Sequence, residues 1–126
     1  MSKQANHKTV VVVGASPKSE RYAFRAMQML RDFGHHVVPI NPAFDQILGE
    51  KCYPSVADVP ERIDTVTLYL RKTRSDLLIK EIVAAKPRRI IMNPGAENDA
   101  LALTARELGI QVIEGCTLVM LRTGTF

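Results

Sequence analysis

The stretch from Thr9 to Arg21, TVVVVGASPKSER, constrains the fold more than any other part of the sequence. Five β-branched residues run directly into Gly14, Ala15 and Ser16, and a helical pattern of apolar residues begins a few positions later. A strand that ends on glycine and leads into a helix brings backbone N–H groups and the positive end of a helix dipole to one place. The stretch therefore predicts a phosphate-binding turn between a buried strand and the first helix.

The rest of the chain alternates short apolar runs with segments of helical periodicity. Strands are predicted at residues 9–13, 36–40, 65–70, 89–92 and 110–113. Strands that are apolar throughout and are separated by helices indicate the α/β class with a parallel sheet. We predict a doubly wound, five-stranded parallel sheet with helices on both faces and the strand order 3-2-1-4-5.

Three polar residues are placed to begin helices. Ser19 is the predicted N-cap of the first helix, and Asn98 is that of the helix before the last strand. The connection of residues 41–64 is long for a bare loop, and Ser55 predicts a short helix within it. A last helical turn is predicted at residues 117–121.

The length of 126 residues and the apolar fraction of 46% fit one domain, predicted at residues 9–126 after a disordered polar segment at residues 1–8. The first residues lack the apolar core of a signal peptide, and no apolar run is long enough to cross a bilayer. We therefore expect a cytoplasmic location and no membrane partner.

The net charge of +4 comes from scattered basic residues, and no stretch interleaves them with aromatic ones. We therefore expect a phosphorylated small molecule as the ligand and no nucleic-acid partner. The two cysteines and three histidines lack the spacing of metal ligands, so no metal site is expected. The sequence leaves the oligomeric state open, a homo-oligomer included.

Ligands of doubly wound sheets bind beyond the carboxyl ends of the strands, where the strand order reverses. The predicted order puts that reversal between the first and fourth strands. Gly14 permits a tight turn there, Ser16 offers an N–H and a hydroxyl to a phosphate, and Arg21 is placed to reach back with its guanidinium. A tight strand-to-helix turn without a ligand is the alternative for the same residues.

Asn41 and Pro42 follow the second strand, where NAD-binding proteins usually have an acidic residue for the ribose hydroxyls. An asparagine argues against plain NAD and is compatible with a nucleotide that carries an additional ribose phosphate. Lys51, on the long connection, is a candidate to bind that phosphate. After the third and fourth strands come Leu70 with Arg71, and Asn93, Pro94 and Gly95, which complete the predicted site.

Catalytic residues are not evident at this edge of the sheet. His35 and His36 open the second strand at the opposite edge, and Glu97 and Glu114 are the only carboxylates close to the strand ends. Cys116 has no basic residue within five positions to activate its thiol, so we expect it to be inert. The sequence favours a binding site without a catalytic residue and leaves open whether the protein is an enzyme.

Five motifs in register resemble the small stand-alone CoA-binding domain proteins of the YccU-like group. They are V-V-G-A-S followed by Arg21, V-x-P-I-N-P at 37–42, G-E-K-C-Y-P-S at 49–55 with D-V-P at 58–60, N-P-G-A-x-N at 93–98, and Cys116 after the last strand. Members of that family usually have W-x-Q-x-G where this chain has I-M-N-P-G at 91–95. This departure falls at the pantetheine end of the expected site.

The resemblance implies a Rossmann-like fold, related to the CoA-binding domain of succinyl-CoA synthetase alpha chains, with coenzyme A as the ligand. CoA would lie along the strand ends, with its phosphates near Gly14, Ala15, Ser16 and Arg21. The adenosine-phosphate half would lie near Asn41, Pro42 and Lys51, and the rest of CoA would be lined by Leu70, Arg71, Asn93, Pro94 and Gly95.

The expected function is binding of CoA or an acyl-CoA through phosphate contacts, without catalysis. One alternative is an NAD(P)-binding or acyl-transfer enzyme on the same fold. The missing second and third glycines of G-x-G-x-x-G count against NAD, and the missing acid–base pair counts against acyl transfer. The other alternative is a regulatory protein-interaction module with a vestigial pocket.

Overall fold

The structure is a computed structural model that describes residues 7–126; residues 1–6 of the predicted disordered segment lie outside the described residues. The strands are β1 (Thr9–Val13), β2 (His36–Ile40), β3 (Gln46–Ile47), β4 (Glu50–Lys51), β5 (Thr65–Leu68), β6 (Arg89–Met92) and β7 (Gln111–Glu114). The helices are α1 (Tyr22–Asp32), α2 (Lys72–Ser75), α3 (Ile79–Ala84), α4 (Asp99–Glu107) and α5 (Thr117–Thr123), with 3-10 turns at Val56–Asp58 and Asp76–Leu78.

Five strands form one parallel sheet in the order β2-β1-β5-β6-β7. The α/β class and the doubly wound parallel sheet are therefore confirmed. The predicted strand order 3-2-1-4-5 is wrong, because the third of the main strands, β5, pairs with β1 and not with the outer edge of β2. Residue Val11 of β1 lies opposite Val38 on one side and Val66 on the other.

The outer edge of β2 is occupied by the chain's own long connection. The Tyr53 N–H donates to the Pro39 carbonyl at 3.0 Å, and the Asn41 N–H donates to the Tyr53 carbonyl at 3.0 Å. Pro39 has no N–H, so a full strand at this edge would miss a hydrogen bond. These constraints make β2 an edge strand and direct the chain back across β1 to form β5.

Helices cover both faces of the sheet, as predicted. Val11 and Val13 of β1 face a core that includes Ile82 of α3 and Leu101 of α4. Val10 and Val12 face the opposite side, where the core includes Met27 and Leu30 of α1 and Leu121 of α5. The alternation of side chains along a strand produces these two cores. Within residues 7–126, none of the helices has the length and apolar character that a bilayer span would require.

Two of the predicted N-caps are confirmed and one is wrong. The Ser55 side chain accepts a hydrogen bond from the Ala57 N–H at the start of a 3-10 turn, and Asn98 accepts one from the Leu101 N–H at the start of α4. Ser19 caps nothing, because α1 begins only at Tyr22 with Arg21 in the N-cap position. The segment between β1 and α1 is therefore longer than predicted.

We predict that Asn98→Ala lowers the free energy of unfolding by about 2–3 kcal/mol, since it removes an N-cap and leaves buried partners unpaired. Asn98 is buried; its Oδ1 accepts from the Leu101 N–H at 3.0 Å, and its Nδ2 donates to Ser75 Oγ at 2.7 Å. Urea denaturation measures the change. Asn98→Ser keeps the capping oxygen and loses the amide, so its stability should lie between those of the wild type and Asn98→Ala. Equal stability of both variants would contradict the capping role.

Candidate functional site

An open cleft of about 1000 Å³ lies at the carboxyl ends of the strands. Its centre is the gap between the turn after β1 and the loop after β5. The chain leaves β1 toward α1 on one face of the sheet and leaves β5 toward α3 on the other face. The reversal therefore lies between the first and third main strands, and the predicted position between the first and fourth is wrong, because β5 is the strand inserted next to β1.

Most of the site residues predicted from the sequence come together in this cleft. The structure places in its lining Gly14, Ala15, Ser16, Arg21, Asn41, Pro42, Leu70, Arg71, Pro94 and Gly95. Lys51 and Asn93 do not line it. Lys51 is exposed on β4, where its Nζ lies 5.0 Å from the ring centroid of Tyr53.

Asn93 is buried beneath the cleft and joins three elements. Its Nδ2 donates to Thr67 Oγ1 at 2.7 Å and to the Leu68 carbonyl at 3.0 Å, and its Oδ1 accepts from the Thr117 N–H at 2.8 Å. These bonds connect the end of β6 to β5 and to the start of α5. Asn93 thus fixes the position of the backbone that continues into Pro94 and Gly95.

Asn41 holds the turn after β1 in place. Its Nδ2 donates to the Ala15 carbonyl at 2.8 Å, and its Oδ1 accepts from the Ala43 N–H at 2.9 Å. The Ala15 N–H in turn donates to the Ile40 carbonyl at 3.3 Å. Asn41 lines the cleft, but both polar ends of its side chain are already bonded to the protein.

Gly14 is required by two separate constraints. Its φ of +87° is a conformation that residues with a Cβ adopt only at a cost. A Cβ at this position would also lie 3.0 Å from Leu70 Cδ2 and 3.2 Å from the Tyr69 carbonyl carbon. The absence of a side chain therefore lets the β1 turn and the β5 loop approach each other across the floor of the cleft.

The lining of the cleft is strongly cationic. It contains Lys18, Arg21, Arg71 and Arg74 and a single carboxylate, that of Glu81. Within the described part of the chain, none of these five side chains takes part in an ion pair. The four exposed cations are therefore available to an anionic ligand, and together they produce a positive potential in the cleft.

Several lining residues were missed by the sequence analysis. Tyr22, Phe44 and Leu77 expose large apolar side chains at the cleft, with 67%, 41% and 83% of their surface accessible. Arg74 and Glu81 belong to the wall built by α2 and α3. The spacing of Arg71 and Arg74, which places both on one side of a helix start, was the signal that would have added Arg74.

The Tyr69 side chain also lines the cleft, but its hydroxyl oxygen is buried. Thr67 and Thr117, whose hydroxyls bond to each other at 2.8 Å, lie close to that oxygen, and within residues 7–126 no group is at hydrogen-bonding geometry to it. Burial raises the pKa of Tyr69 to about 12, and the two nearby threonines oppose the shift. The Tyr69 hydroxyl is therefore neutral at pH 7, and because it is buried it is not accessible to a ligand in the cleft.

The other reactive side chains lie outside the cleft. Cys116 stands at the N-cap of α5 as a free thiol, and Cys52 is buried with its thiol donating to the Asn41 carbonyl at 3.4 Å. Burial raises the pKa of the Cys52 thiol, which disfavours its reactive form. Within residues 7–126, no group of three or more His, Cys, Asp and Glu side chains is arranged to hold a metal ion.

Comparison with known proteins identifies the family. The sequence profile of the CoA binding domain matches residues 8–122, which is nearly the whole chain. The chain belongs to the CoA binding domain family. This finding confirms the resemblance proposed from the five motifs.

Relatives of this CoA binding domain occur both as short proteins and as parts of long ones. The chain is 26% identical to the uncharacterized protein YneT of Bacillus subtilis over 106 residues, 84% of this chain and 78% of YneT. It is 41% identical over 61 residues to an ADP-forming acetate–CoA ligase of Methanocaldococcus jannaschii, which is 48% of this chain but only 9% of the ligase. The crystal structure of an uncharacterized protein matches with a TM-score of 0.90 and 38% identity, covering 95% of this chain and 98% of that one.

We predict that Gly14→Ala destabilises the domain more than Gly49→Ala does. Both glycines have positive φ, which costs about 1–2 kcal/mol for alanine, but nothing lies within 4 Å of a Cβ at Gly49. The difference between the two variants in urea denaturation thus measures the close approach of Gly14 to Leu70. Equal losses would mean that Leu70 moves aside freely.

We predict that Tyr69→Phe is neutral or stabilising at pH 7, because it removes a buried hydroxyl without a hydrogen bond. The folded-state pKa lies above the unfolded value of 10, so the stability linked to the neutral hydroxyl is fully present below pH 10 and is lost between pH 10 and about 12. Urea denaturation from pH 9 to 11 should show a smaller loss of stability in Tyr69→Phe than in the wild type. Tyr22→Phe, at an exposed position, is the control and should follow the wild type.

Proposed function

We propose that this domain binds CoA or an acyl-CoA in the cationic cleft and performs no chemistry on it. The diphosphate would bind at the turn of Gly14, Ala15 and Ser16, next to the start of α1 and within reach of Arg21. The observation that carries the proposal is that this turn, four cations without an ion-pair partner among residues 7–126 and the switch point of the sheet coincide in a CoA binding domain.

The composition of the cleft supports binding over catalysis. Among residues 7–126 its lining contains neither histidine nor cysteine, and its one carboxylate, Glu81, is held at one oxygen by hydrogen bonds from Ser55 and the Val56 N–H, without a basic side chain paired to it. General acid–base catalysis needs a titratable group free to exchange a proton with the substrate. The residues that line the cleft are therefore suited to bind and orient a ligand.

The ribose phosphate of CoA would be bound by the cations that do not contact the diphosphate. Lys18, Arg71 and Arg74 line the same cleft and are exposed. Lys51 is left out of this proposal, because it lies outside the cleft beside Tyr53. Pro94, Gly95 and Leu70 remain as candidates to line the pantetheine arm.

Parallel calorimetric titrations with CoA, dephospho-CoA, acetyl-CoA and NAD test the proposal. We expect CoA and acetyl-CoA to bind more tightly than dephospho-CoA, since the cations have one phosphate fewer to contact in the latter. NAD binding equal to or tighter than that of CoA would overturn the assignment in favour of a dinucleotide site. No heat and no thermal stabilisation with any of the four would favour the interaction module.

We predict that Arg21→Ala weakens CoA binding by about 10- to 100-fold. A hydrogen bond between charged partners is worth about 1.5–3 kcal/mol, and 1.4 kcal/mol corresponds to a factor of ten in Kd. Arg106→Ala, which changes an exposed arginine in the last turn of α4 outside the cleft, is the matched control and should bind as the wild type does. The same Kd for Arg21→Ala and the wild type would remove Arg21 from the site.

A further inference from the structure

One wall of the cleft changes in polarity along its length. The stretch from α2 to α3 lines the cleft with Arg74, then with Leu77 and Leu78, and then with Glu81. The stretch is two short helices joined by a 3-10 turn, and all four side chains line the same cleft, so they form a stripe along this wall. The stripe begins with a cation, continues as apolar surface and ends with a carboxylate.

Hydrogen bonds to one carboxylate oxygen hold the Glu81 side chain in a fixed orientation. Its Oε2 accepts from Ser55 Oγ at 2.8 Å and from the Val56 N–H at 3.1 Å, which ties the long connection to α3. Both hydrogen bonds go to the same oxygen, so Oε1 is without a hydrogen-bond partner among the described residues. A half-buried carboxylate oxygen beside an apolar surface is a strong acceptor for a donor on a ligand.

The surfaces around Glu81 suit a flat apolar group. Pro54 directly precedes Ser55, and Leu77 and Leu78 precede Glu81 by one helical turn; all three line the cleft. Phe44 and Pro42 line the same cleft from the loop after β2. Leu77 is 83% exposed and Phe44 is 41% exposed, so a planar ring that covered them would remove a large apolar area from water.

We propose, on the basis of the proposed function, that Glu81 reads the base of the ligand. Oε1 accepts a hydrogen bond from the exocyclic amino group of adenine, while the ring lies against the leucines and prolines. The cation at the other end of the stripe, Arg74, faces a phosphate of the same nucleotide. A purine with an oxo group at position 6 would bring a carbonyl oxygen against the carboxylate, so the cleft selects adenine nucleotides over hypoxanthine nucleotides.

The test is a pair of titrations with ADP and inosine diphosphate, which carry the same phosphates and differ in the base. We expect the wild type to bind ADP at least about tenfold more tightly, since the wrong base leaves an acceptor facing an acceptor. In Glu81→Gln the amide oxygen still accepts from Ser55 and Val56, and the amide N–H₂ donates to the oxo group. We therefore expect the ratio of the two affinities to fall to about one or to reverse.

The control is Glu107→Gln, the same substitution at an exposed position of α4 outside the cleft, which should keep the preference of the wild type. A loss of the Ser55 contact would weaken both nucleotides together and leave their ratio unchanged, so the ratio separates base reading from a structural role. Equal affinity of the wild type for both nucleotides, or an unchanged ratio in Glu81→Gln, would overturn the proposal.

A parallel titration with CoA keeps this proposal distinct from the proposed function. If CoA binds but ADP and inosine diphosphate are not distinguished, base reading by Glu81 is wrong and CoA binding stands. If CoA fails to bind while ADP is preferred over inosine diphosphate, the base-reading residue is retained and the assignment of CoA fails. Should Glu81→Gln fail to fold, equal affinity of the wild type for ADP and inosine diphosphate would still overturn the proposal.

Discussion

The pairing of β1 with β2 on one side and with β5 on the other is the constraint on which the cleft depends. Val10 to Val13 are inaccessible to solvent, and both neighbouring strands run parallel to β1. The chain leaves β1 toward one face and leaves β5 toward the other, so the two loops diverge over a common floor. The distance between these loops is set by Gly14 and Leu70, because they approach so closely that a side chain at Gly14 would crowd Leu70. The position of the proposed phosphate turn thus follows from the strand order.

The sequence predicted the five strands of the main sheet and the strand-to-helix turn at Gly14, because a continuous apolar strand ending on glycine has few structural alternatives. It failed on the strand order, which depends on non-local pairing. Pro39 was the local signal that was overlooked, since a proline inside a strand indicates a sheet edge. Ser19 failed as an N-cap because a turn, in which the Arg21 N–H donates to the Lys18 carbonyl at 3.0 Å, precedes the helix and puts Arg21, with φ and ψ of −78° and 142°, in the N-cap position. A residue with a capping side chain predicts that a helix starts nearby, but the length of the preceding turn determines which residue occupies the N-cap position.

The candidate site was predicted from the residues that follow the strands, and the structure shows that these residues are of two kinds. The amides of Asn41 and Asn93 bond to backbone and hydroxyl groups of the protein, whereas the guanidinium groups of Arg21 and Arg71 are exposed in the cleft. Burial explains the difference, because an amide in the interior must be satisfied there and a guanidinium at the surface is solvated. A sequence places both kinds of residue at the same edge, but it does not tell which way each side chain turns. Lys51 was wrongly placed in the cleft for the same reason, because the sequence does not give the direction of its side chain.

The cleft combines two features that are unfavourable in water, namely cations close to one another and exposed apolar side chains. Four cations that have no ion-pair partner in the described part of the chain repel one another across the opening, and Tyr22, Phe44 and Leu77 expose apolar surface to water. The hydrogen bonds that hold the walls and floor of the cleft are made by Asn41, by Asn93 and by the Ser55–Glu81 contact. These contacts fix the backbone from which the cations and the apolar side chains project. A polyanion that carries an apolar ring would relieve both unfavourable features at once, which is why stability and binding should be coupled in this domain.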